Sequence, residues 1–238
     1  MVFSWMETIR RFSVLDEEEC ARARHVLYSM RKCWRQRGSE VPFFTLGAAS
    51  YIDSRPRVDS YYEHVMRENP ILRENFAWLY ERVIDALANH VEGPISLEHD
   101  QALPGFHLYL SHTAFEKPIA EIHFDRQQHR LRWSEPDQVE WSNPFSFTLP
   151  IALPDTGGGL YTWDVEWNEV ASIHGEERRR VLEQAKRRCH HYRLGELVVH
   201  SGNLLHQVMP GVRLSDSDER FTLQGHALYY SGAWRLYW

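Results

Sequence analysis

Apolar positions along the first hundred residues recur at helical spacing. Cys20, Ala23, Val26, Leu27, Met30, Cys33 and Trp34 fall three or four apart, which predicts an amphipathic helix. Asp16 is its N-cap, with Glu17, Glu18 and Glu19 in the first turn, where the helix dipole favours carboxylates. Arg35 and Arg37 lie near its end, and Gly38 is its stop. A second helix is predicted from Pro70, a good first-turn residue. Its apolar face is Leu72, Phe76, Leu79, Tyr80, Val83, Leu87 and Val91, and Gly93 ends it.

From Gly105 the period shortens to two. Strands are predicted over 105–111, 118–124, 157–164, 196–200, 204–208 and 220–230. Phe145, Phe147, Leu149 and Ile151 alternate, as in a strand buried on one face. Short strands separated by turns predict a sandwich or barrel-like β core. A helix over 176–193 interrupts them. The pattern predicts one catalytic domain over 1–238: helical support over 1–100 and a β core over 101–238.

Composition narrows the setting. The chain has 238 residues, suited to one core with helical additions. No apolar run reaches the length of a membrane span, and charges interrupt the apolar residues of the first twenty. Three scattered cysteines make no disulfide framework, so a reduced, cytoplasmic protein is expected. The net charge of -6 makes neither nucleic acid nor an anionic membrane the expected partner. The 176–193 segment opposes that balance, with a local charge of +4, and is either a solvated face or a basic rim attracting an anionic substrate.

Of the 14 histidines, only His123 has an Asp two residues on, Asp125. On extended backbone the two project to one face. They supply two members of a facial triad of two histidines and one carboxylate, which leaves three iron positions open. His206, after a predicted strand and tight turn, is the best third ligand. Arg220 and Thr222, two apart on a later strand, suit a carboxylate, which Arg binds as a bidentate fork.

The order His-x-Asp, Gly157-Gly158-Gly159-Leu160, distal His206, then Arg220-x-Thr222 resembles the iron(II)/2-oxoglutarate-dependent oxygenases. The resemblance covers about 105–230. It implies a double-stranded β-helix, a cupin-like jelly roll. It implies iron(II) on His123, Asp125 and His206, with Arg220, Thr222 and Tyr109 binding 2-oxoglutarate. O2 is the oxidant, and succinate and CO2 are released. Family members that transfer chloride have a small residue in place of the carboxylate, so Asp125 implies hydroxylation or a related oxidation over halogenation. The expected substrate is a small molecule, an amino acid or natural-product intermediate, contacted by Arg126, Gln127, Gln224, His226 and Trp163. The alternatives are a peptide or protein side-chain hydroxylase, or a non-catalytic sensor on the same fold.

Overall fold

In the computed structural model, which describes residues 9–38, 40–118 and 120–238, a strand precedes the first helix. This is β1 (Ile9–Ser13). The first eight residues lie outside the described residues. The Asp16 carboxylate then accepts the Glu19 N–H at 2.8 Å, and the Glu19 side chain accepts the Asp16 N–H at 3.2 Å. This reciprocal capping box opens α1 (Glu17–Ser29). The helix stops well before Gly38. Residues Arg31–Cys33 tighten into a 3-10 turn that leads to β2 (Arg35–Gln36), which pairs with β3 (Phe43–Leu46).

After the short α2 (Ser50–Asp53), α3 runs Val58–Ala88 and carries Pro70 inside it. The predicted start at Pro70 is thus twelve residues late. Tyr61, Val65 and Asn69 already lie on the buried face that Leu72 and Phe76 continue. The amino-terminal part is therefore not purely helical. β1, β2, β3 and β4 (Ile95–Leu97) all join the main sheet.

The remaining strands are β5 (Gly105–Leu110), β6 (Phe145–Ala152), β7 (Leu160–Glu166), β8 (Arg187–His190), β9 (Glu196–Ser201), β10 (Leu204–Val208), β11 (Glu219–Tyr230) and β12 (Ala233–Tyr237). Nine form one sheet in the order β1-β9-β6-β11-β5-β3-β2, with β12 on β11 and β4 on β12. The order β10-β7-β8 makes the second sheet. Two short helices, α4 (Trp167–Val170) and α5 (Gly175–Gln184), link β7 to β8.

Three expectations are corrected here. Among the described residues of 118–124, only His123 makes a β-bridge, to His206, and none lies in a strand. The helix expected over 176–193 ends at Gln184. The chain then straightens into β8, whose ladder runs from Leu160↔His190 to Trp163↔Arg187. β6 is buried on both faces instead of one.

That double burial defines the molecule. Phe106, Leu108, Phe147, Leu149, Leu197, Val199, Phe221 and Leu223 pack with Leu27, Leu72, Phe76 and Leu79 of the helices. The alternate residues of the same strands must face the other way. They include His107, Tyr109, Ser146, Thr148, His200, Arg220 and Thr222, a mostly polar row. At Gly105 a Cβ would lie 2.1 Å from the Trp238 ring, so only glycine fits there. Among the described residues, no helix is long and apolar enough to cross a membrane.

Candidate active site

His123 and His206 are locked as a backbone pair. Each N–H donates to the other's carbonyl at 3.0 Å, and the Asp125 N–H donates to Gly202 O at 3.0 Å. The segment before the site thus borrows β10 and the β9–β10 turn as its template. The expected same-side projection of His123 and Asp125 holds without a regular strand. One ligand atom from each of His123, Asp125 and His206 lies within 4.8 Å of the others. Nε2 of His206 is 3.5 Å from Asp125 Oδ2, and Nε2 of His123 is 3.8 Å from Oδ1.

Backbone carbonyls orient both rings. His123 Nδ1 meets Glu121 O at 2.7 Å, and His206 Nδ1 meets Leu204 O at 2.8 Å. A neutral ring that donates from Nδ1 presents its lone pair at Nε2. The Ser146 hydroxyl donates to Asp125 Oδ2 at 2.6 Å and lies 3.0 Å from His226 Nδ1. Its one proton is spent on Asp125, so the His226 ring donates to it. Burial alone would raise the Asp125 carboxyl. The surrounding His206, His226, His123 and His200 reverse this and hold it below the usual carboxylate range. Burial pushes the His206, His200 and His226 imidazoles down, towards neutral rings. Two imidazole nitrogens and one carboxylate, with further positions open, are the donor set of a non-haem iron(II) site.

Arg220 is 4% exposed. Its Nε donates to Gly158 O at 3.0 Å and its Nη1 to Thr222 Oγ1 at 3.4 Å, while Nη2 has no partner. Gly157 (φ +92°) and Gly158 (φ +73°) form the left-handed turn that delivers that carbonyl. The guanidinium carbon stands 5.7 Å from the Tyr109 ring and 5.8 Å from the Tyr192 ring. No described carboxylate lies within salt-bridge distance of Arg220. A buried cation without an anion costs several kcal/mol, so the pocket is built for an anionic ligand.

A cavity of about 450 Å³ joins the two groups, its wall including His123, Asp125, His206 and Arg220. Tyr109, Arg126, Gln127, Gln224 and His226 share that wall. Thr222 sits behind Arg220 and does not line the cavity. Trp163 does not reach it either. Trp163 packs with Val165, Val170 and Leu205 and faces a neighbouring cavity beside Phe124, Arg126 and Trp167. Sequence reasoning missed Ser146, His200, His107, Tyr51 and Tyr192. The available signal was polar residues alternating with Phe145, Phe147 and Leu149, and with Leu197 and Val199. That alternation means a second lined face, since the other face is core.

The family described as "Carrier-protein-independent halogenase WelO5" matches residues 116–237, just over half the chain. The chain belongs to this family of iron(II)/2-oxoglutarate-dependent oxygenases. It is an oxidoreductase, with iron(II) as cofactor and 2-oxoglutarate as cosubstrate. A search of curated proteins found no match. Among solved structures, an N-substituted L-amino acid dioxygenase from Burkholderia ambifaria AMMD is similar at 14% identity, with a TM-score of 0.53. The match covers 97% of this chain and 86% of that one. The same enzyme in complex with alpha-KG matches at 16% identity and a TM-score of 0.52, with the same coverage. SnoN, a non-heme alpha-ketoglutarate-dependent epimerase from nogalamycin biosynthesis, matches at 11% identity and a TM-score of 0.52, over 95% of this chain and 80% of that one. The two-sheet architecture is the double-stranded β-helix that the sequence predicts.

Proposed function

We propose that this protein hydroxylates a small molecule. In this reading His123, Asp125 and His206 hold one iron(II), Arg220 and Tyr109 hold 2-oxoglutarate, and Thr222, off the cavity wall, accepts from Arg220 and so positions it instead of binding the cosubstrate. The observation that carries it is a buried guanidinium with an unpartnered Nη2 in the same cavity wall as a two-histidine, one-carboxylate cluster. When bound, iron and 2-oxoglutarate supply O2-dependent oxidation coupled to release of succinate and CO2. The chain's own residues orient that chemistry. Glu121 O and Leu204 O fix the two rings, Ser146 holds Oδ2 of Asp125, and Arg220 pairs with the far carboxylate. Tyr109 closes over the Arg220 side of the pocket.

Asp125 favours hydroxylation over halide transfer, because its carboxylate occupies a coordination face that a halide would need. A cavity of this size suits a small molecule. The similar structures, an N-substituted L-amino acid dioxygenase and an epimerase from nogalamycin biosynthesis, agree with that scale. The complete set of ligand and anchor groups supports catalysis over a sensor role.

The test combines iron titration with turnover. Wild type is expected to bind one iron(II) and to release succinate with a substrate from a metabolite library. His206→Ala is expected to lose both. Unchanged iron stoichiometry in His206→Ala overturns the ligand assignment.

A further inference from the structure

The cavity wall carries more positive charge than the proposed reaction uses. Arg55, Arg126, Arg130 and Arg220 line it, against the carboxylates of Glu121 and Asp125. With iron(II) and 2-oxoglutarate bound, the metal and Arg220 balance Asp125 and the 2-oxoglutarate dianion. Three guanidinium groups and one carboxylate remain.

Several other arginines of the fold have a carboxylate partner. Arg24 pairs with Glu219, Arg35 with Glu68, Arg37 with Asp53, Arg82 with Glu19, and Arg132 with Asp59. Among the described residues, no carboxylate lies within 4 Å of the guanidinium of Arg55, Arg126 or Arg130. Arg126 is half-buried. Its Nη1 donates to Asn203 Oδ1 at 3.1 Å, and its guanidinium stands 5.0 Å from the Trp167 ring centroid. Both partners are neutral, so its charge stays unbalanced.

The three line the cavity from two adjoining elements, with Arg55 and Arg130 exposed at its edge. Arg126 directly follows Asp125, and Arg130 ends the 3-10 turn Gln127–Arg130. α2, whose carboxyl end leads to Arg55, packs against that turn. Gln127, 6% exposed, lies between them in sequence, and its Nε2 donor has no partner. Guanidinium and amide N–H groups complement carboxylate or phosphate oxygens.

The geometry points to an anionic substrate, whose carboxylate or phosphate group is held by Arg126, Arg130 and Arg55 while its reacting carbon faces the iron. This substrate class rests on the oxygenase reading above.

The test uses the iron(II)- and 2-oxoglutarate-loaded protein without oxygen. The probes are matched pairs: 3-phenylpropanoate and its amide, hexanoate and hexanamide, hexyl phosphate and hexanol. Binding is read from the visible charge-transfer band of the loaded site and from the thermal midpoint. At least one acid is expected to bind about tenfold more tightly than its neutral partner. The carboxylate and phosphate arms identify which head group the site prefers. Arg126→Gln/Arg130→Gln should erase the preference while 2-oxoglutarate affinity stays within about twofold. Arg126→Lys/Arg130→Lys, which keeps the charge, should restore part of it. Equal binding of acids and neutral partners, binding by no acid, or an unchanged preference in the glutamine variant each overturns the substrate class. Failure of the band to form in wild type before any probe overturns the oxygenase reading itself. The single exposed change Arg55→Gln gives the same readout if the double variant does not fold.

Discussion

Ser146 donates a 2.6 Å hydrogen bond to Oδ2 of Asp125 while its oxygen accepts Nδ1–H of His226 at 3.0 Å. One carboxylate oxygen is thereby engaged by protein, and Asp125 would hold a metal with its orientation fixed by Ser146. Ser146→Ala should weaken iron(II) binding by about 10–100-fold, the usual effect of removing such a partner. Ser146→Thr, which keeps the hydroxyl, should recover most of it. Competition against a chelator measures this, and wild-type affinity in the alanine variant would refute the role.

Arg220 offers a second separation of functions. Arg220→Ala should cost ~2–5 kcal/mol of 2-oxoglutarate binding, roughly 30-fold to several thousand-fold. Iron(II) binding should survive, since Arg220 is not among the three clustered ligand residues. Lysine should rescue poorly, because it lacks the planar fork. Titration of the iron-loaded variant with 2-oxoglutarate decides it.

Chloride supplies a third test. With Asp125 in place, turnover in chloride-containing buffer should yield hydroxylated and no chlorinated product. Mass spectrometry of the products reads this directly, and a chlorinated product would overturn the role given to the carboxylate.

A fourth prediction concerns acid stability. Asp53 is buried and accepts Arg37 Nη1 and Nη2 at 2.7 Å each, Arg35 Nη1 at 2.9 Å and the Ala49 N–H at 2.8 Å. His64 Nδ1 lies 3.2 Å away. Burial raises the Asp53 carboxyl, but Arg37 and Arg35 outweigh it and hold the group below the usual range. A depressed folded value means that the stabilisation is complete above the unfolded value of about 3.9. It is lost as pH falls through the folded value. Asp53→Asn should cost about 3 kcal/mol near neutrality, because it leaves charged partners uncompensated. It should also flatten the fall in thermal midpoint below about pH 4. An equally steep acid limb in the variant would refute the account.

Legibility in the sequence followed range. Asp16, Glu17 and Glu19 act within one turn, so α1 could be started correctly. His123 and Asp125 lie two residues apart, and their shared direction survived even though the expected strand did not form. His206 and Arg220 were found from their order along the chain. What stayed hidden depended on distant partners. β1 exists because Ile9–Ser13 pairs with β9, nearly two hundred residues away. β8 carries exposed Arg187 and Arg188 on an edge, which reads as a continuing charged helix until the β7 ladder is seen. Pro70 hid the first three turns of α3. Ser146 and His200 looked like isolated polar residues because an apolar strand says nothing about a cavity behind it.

The alternation along β11 has an evolutionary consequence. Arg220, Thr222, Gln224 and His226 occupy one face, Phe221, Leu223 and Ala227 the other, and β5 and β6 clamp the strand from both sides. A single-residue insertion or deletion there would exchange the two rows and abolish site and core together. Gradual length variation is therefore closed to this strand. Descendants of this fold inherit the anchor row intact or lose it outright, and novelty in what they oxidise enters through the turn that follows Asp125, from Arg126 to Arg130, where a change need not turn the core inside out.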